Sequence, residues 1–81
     1  MDDTMITYLT VFFSTDGAAP SEVVDRLYNL GFKPTSGNYD FAYEWDAKAT
    51  LDDALHLGDQ VHNILEGMGV LFKLETRDGD F

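Results

Sequence analysis

Tyr39, Phe41, Tyr43 and Trp45 alternate without interruption with Asp40, Ala42, Glu44 and Asp46. A period of two over eight residues fits only an extended strand, whose successive side chains point to opposite faces; a helix would scatter the same residues around its axis. One face of that strand is aromatic and the other acidic. The aromatic row must be the covered one, because the reverse arrangement would bury three carboxylates without partners. The chain must therefore supply something apolar to lay over one side of a sheet.

The flanking segments supply it. Residues 4–14 are rich in β-branched and aromatic side chains on both parities, with Met5, Leu9, Val11 and Phe13 on one and Ile6, Tyr8 and Phe12 on the other. Such a two-sided strand belongs in the middle of a sheet. Asp16 to Ala19 form a turn, and Pro20 suits the first position of a helix, where its missing N–H is not needed. Val23, Val24, Leu27 and Leu30 recur at helical spacing until Gly31, which fits a left-handed helix stop with Phe32 packing back on it. Phe32 to Thr35 is extended, and Ser36, Gly37 and Asn38 turn it into the alternating strand as a hairpin. Thr50 begins a second helix with Asp53 as its capping-box partner, and Leu51, Ala54, Leu55, Gly58, Val61, Leu65 and Met68 form its expected apolar stripe. After Gly67 and Gly69, Val70, Phe72 and Leu74 alternate with Leu71, Lys73 and Glu75 in a last strand, and residues 78–81 read as a frayed tail. The order β-α-β-β-α-β predicts an α+β, ferredoxin-like fold: a four-stranded antiparallel sheet with two helices on one face, in a single domain spanning 1–81.

Charge bounds the setting. Fifteen acids, eleven of them Asp, stand against five basic residues, a net charge of −10 on 81 residues. Disorder does not follow, since 44% of the chain is hydrophobic and the acids are dispersed along it. A dispersed Asp-rich surface on a folded core suits concentrated salt, where a Debye length of about 3 Å at 1 M screens self-repulsion. Rows of acids at phosphate spacing, as a nucleic-acid mimic needs, are not seen, and without basic patches the chain is not expected to bind nucleic acid. No cysteine is present, so disulfides and thiolate metal sites are excluded. The first four residues carry two Asp and do not read as a secretory signal, and no apolar run reaches the length of a membrane span. A cytoplasmic protein with no cofactor and no membrane association is the expectation.

With helices on one face only, the other face carries Ile6, Tyr8, Thr10 and Phe12 down its middle. Asp40, Ala42, Glu44 and Asp46 flank it on one side, and Leu71, Lys73, Glu75 and Arg77 on the other. An apolar stripe between acids and scarce cations reads as a contact surface for protein, self or other, and Ile6, Tyr8, Thr10, Phe12, Lys73 and Arg77 are its candidate residues. In a two-fold homodimer the acidic flank of one subunit would meet Lys73 and Arg77 of the other. His56 and His62 lie six apart on the second helix and so do not face one site. Asp52 and Asp53 suit a helix N-terminus, and no serine stands in a recognisable triad, so no catalytic or metal residue is expected.

Two resemblances bear on function. The order of first strand, turn with Asp16 and Gly17, helix, Gly31-Phe32 and strand resembles small-molecule regulatory domains of the ACT type. That resemblance implies an alternative role, ligand binding at Asp16 and Gly17, although the Pro-Gly pair often found at the helix entry of such domains is missing. The stretches Gly31-Phe32-Lys33-Pro34, Tyr39 to Trp45 and Gly69 to Thr76 are similar to small archaeal proteins of unknown function, in a salt-loving version. This second resemblance implies the same fold and an archaeal cytoplasm, and carries no activity. The sequence reading is thus a non-catalytic interaction or homo-oligomerisation module working through the open sheet face.

Overall fold

A computed structural model describes residues 5–78. The elements are β1 (Met5–Phe13), α1 (Pro20–Leu30), β2 (Lys33–Pro34), β3 (Phe41–Glu44), α2 (Leu51–Leu65) and β4 (Val70–Asp78). All pairings are antiparallel, and the strand order is β2-β3-β1-β4. This is the βαββαβ, ferredoxin-like arrangement that the element order predicts. Asp78, read from sequence as tail, is in β4 opposite Met5. The expectations for residues 1–4 and 79–81 fall outside the described residues.

Local signals in the sequence account for the helix boundaries. Pro20 opens α1 after an extended Ala19, and Gly31, at φ 119°, closes it, its N–H donating to the carbonyls of Leu27 and Tyr28. Phe32 N–H also reaches Leu27 O, and the buried Phe32 ring packs edge-on to Tyr43. At α2 the capping box forms in full: Thr50 Oγ1 accepts from Asp53 N–H at 3.3 Å, and Asp53 Oδ2 accepts from Thr50 N–H at 2.9 Å.

The core lies between the helices and one face of the sheet, with Leu9, Val23, Leu27 and Val61 fully enclosed. Thr7, Leu9 and Val11 make up the buried parity of β1, which is the parity assigned from its aliphatic residues, although Phe13 at its end is exposed. Two packing expectations are corrected. The buried face of α2 is Ala54, Leu57, Val61 and Leu65, spaced 3, 4 and 4 apart, while Leu51 and Leu55 stand 66% and 61% exposed. The aromatic row also breaks at its first member. Asp40 N–H donates to Leu9 O although Leu9 is already opposite Phe41, so two residues of this strand face one of β1, which is a bulge. The extra residue reverses the parity before it. Tyr39 consequently leaves the helix side and stacks on Tyr8, ring centroids 4.3 Å apart, while Phe41, Tyr43 and Trp45 stay with the core.

Candidate functional site

The strand register brings the predicted surface residues together. Ile6 stands opposite Arg77, Tyr8 opposite Glu75, Thr10 opposite Lys73 and Phe12 opposite Leu71. All point away from the helices, because Thr7, Leu9 and Val11 occupy the covered parity between them. Across the other side of β1, Tyr8 faces Ala42 and Ile6 faces Glu44. Lys33, which the sequence reading left unplaced, faces Ala42 from β2 and so shares this surface. Three of the five basic side chains, Lys33, Lys73 and Arg77, therefore stand on one face of an acidic protein.

The face has two regions of different character. Around Tyr8 it is closed by the chain itself: the Tyr39 ring covers Tyr8, and the Tyr39 hydroxyl donates to Glu75 Oε2 at 3.1 Å. The same oxygen lies 3.5 Å from Arg77 Nε. Arg77 is thus engaged by its own strand, and Ile6, Tyr8 and Thr10 are half-buried. Toward the other end, nothing comparable among the described residues covers the sheet. Phe12 is 55% exposed and its cross-strand neighbour Leu71 is 74% exposed. Lys73, one step along β4, borders this pair.

Asp40 holds the boundary of the face. Its carboxylate accepts from Val11 N–H at 3.0 Å, standing in for the backbone partner that the bulge removes from β1. The aspartate read from sequence as one member of an acidic flank therefore completes the sheet. No periodic signal announces this, since Asp40 keeps its place in the alternation.

Asp16 and Gly17 lie elsewhere, in a shallow cleft where the β1–α1 turn meets the α2–β4 turn. Glu22, Arg26, Glu66 and Gly67 also line it. Ala18 N–H donates to Met68 O at 2.8 Å, and a Cβ added to Gly17 would sit 2.9 Å from Gly69 O and closer still to Met68 O. Gly17 is thus the residue that lets two backbone turns touch. His56 and His62 are both exposed on α2. Among the described residues no group of three or more His, Asp or Glu is placed to hold a metal ion, and no helix is long and apolar enough to cross a membrane.

The geometry defines a small ferredoxin-like domain whose bare sheet end is apolar with a basic margin. No family model, curated protein or solved structure matches the chain, and no finding ties it to archaea or to salt-loving organisms; the ferredoxin-like fold rests on the strand order and pairing alone.

Proposed function

We propose that this protein is a non-catalytic interaction module that docks a protein partner on its open sheet face and works in a salt-rich cytoplasm. The observation that carries the reading is the Phe12–Leu71 pair, two large apolar side chains on adjacent strands with most of their surface exposed. Covering both would remove apolar surface from water at about 25 cal/mol per Å2, a standard source of association energy. Lys73 beside them offers a cation to an acidic margin on the partner. Ligand binding at Asp16 and Gly17 is supported less well, since contact with Met68 and Gly69 accounts for Gly17 without a ligand.

The test compares native-cell extracts containing the wild-type chain or Phe12→Asp at native salt. The wild type is expected in complexes larger than any formed by the purified protein alone, and the folded variant is expected to lose them. A folded Phe12→Asp that enters the same complexes overturns the reading.

A further inference from the structure

The two edges of the sheet are built differently. β2 is two residues long and carries Pro34, which has no N–H to offer, so that edge is blunt. β4 is nine residues long, contains no proline, and among the described residues no strand pairs its outer side. Hydrogen bonding within the sheet shows which groups that outer side presents. Met5 O and Leu9 O accept from Trp45 and Asp40 N–H, and Val11 N–H reaches Asp40, so the odd residues of β1 turn toward β3. The even residues accordingly turn toward β4, where their partners are Leu71, Lys73, Glu75 and Arg77. Phe72, Leu74 and Thr76 are left with their N–H and C=O groups directed outward.

We infer that a second copy of this chain pairs with β4 edge to edge, antiparallel, about a two-fold axis at Leu74, giving a continuous eight-stranded sheet. Leu74 is the midpoint of Val70–Asp78, so this register pairs the whole strand. It makes Leu74 face Leu74 of the second copy, and Phe72 face Thr76, as hydrogen-bonded pairs built from the outward groups. It also sets Lys73 opposite Glu75 of the second copy, twice, in the non-hydrogen-bonded positions where Cα atoms approach to about 4.5 Å. Centring the axis on Lys73 or on Glu75 would instead oppose like charges. Among the described residues Lys73 is in no ion pair, and the second copy's Glu75 supplies one.

The exposed leucines of α2 fit the same arrangement. A Cβ on Gly58 would lie 3.6 Å from Leu74 Cδ1, which places that flank of α2 over β4. The opposite flank turns to α1, where Arg26 Nη1 donates to Ile64 O. Leu51 and Leu55 precede Gly58 at spacings of seven and three and share its flank, on the side of the free edge. Joining two β4 edges brings the two α2 helices alongside each other, and Leu51 and Leu55 become contacts between them. The inference does not depend on the open-face reading, because Phe12 lies on β1, inside the sheet.

Sedimentation velocity in about 1 M KCl, where the Debye length is about 3 Å, removes net repulsion but leaves contact pairs effective. The wild type is expected to dimerise, Lys73→Glu to weaken the dimer about tenfold or more, and Lys73→Glu combined with Glu75→Lys to recover most of the loss. Phe12→Asp is expected to dimerise as the wild type does. Because the chain has no cysteine, Leu74→Cys reports the axis independently: a hydrogen-bonded pair about 5.5 Å apart at Cα suits a disulfide, so mild oxidation should cross-link Leu74→Cys and not Thr76→Cys. A monomeric wild type, a Lys73→Glu variant that dimerises unchanged, or equal cross-linking at both positions overturns the inference. Loss of the dimer in Phe12→Asp alone would move the second copy to the open face and overturn it as well.

Discussion

Thr7 shows how much one side chain can carry in a small core. It is 1% exposed, and its hydroxyl both accepts from Trp45 Nε1 at 2.8 Å and lies 2.8 Å from Thr76 Oγ1, joining three strand segments at one oxygen. Replacing it with valine keeps the shape and leaves the indole N–H without an acceptor. Thr7→Val is expected to lower stability by about 1–3 kcal/mol in denaturant titration, and an unchanged midpoint would show that the hydroxyl contributes nothing. The sequence reading passed over this residue in naming the covered parity of β1, because a threonine on a strand suits either face and its partner Thr76 lies 69 residues away. Tyr39 was misplaced for a related reason. The alternation that revealed the strand holds through Asp40, and only the hydrogen bond from Asp40 to Leu9 shows that parity reverses there.

Both helix starts, the stop of α1 and the hairpin were legible at the level of the element because each rests on chemistry within a few residues. By contrast, α2 ends at Leu65, so Met68, expected in its apolar stripe, lies in the turn beyond it. Pro20, Gly31 and the Thr50–Asp53 box all do in the structure what their spacing indicates. The rotation of α2 was not legible. Leu51, Ala54, Leu55, Leu57 and Gly58 offer two overlapping apolar stripes, and the choice between them is made by α1 on one side and β4 on the other. The turns before α1 and after α2 depend on each other in the same way, through the contact of Gly17 with Met68 and Gly69. A methyl group at Gly17 would meet backbone atoms, which cannot rotate aside. Gly17→Ala is therefore expected to cost about 1–3 kcal/mol, with faster amide exchange at Ala18 as its donation to Met68 O loosens. Unaltered exchange at Ala18 would mean that the two turns are not coupled.

The arrangement of the whole molecule follows from element order, and so the fold was readable where the use of its surface was not. Register, fixed by pairing between distant strands, is what gathers Phe12 with Leu71 and Lys33 with Ala42. The net charge of −10 acts at this scale too, favouring any state in which the acids lie farther apart. Raising KCl from about 0.1 to about 1 M shortens the Debye length from about 10 to about 3 Å, and the urea midpoint is expected to rise with it. A midpoint independent of salt would refute adaptation to a saline interior. The place of β1 in the sheet also sets a timetable for biosynthesis. β1 is made before either of its neighbours, β3 on one side and β4 on the other. Until β4 is made, a two-sided apolar strand waits with at least one side unpaired, in the state most prone to aggregate.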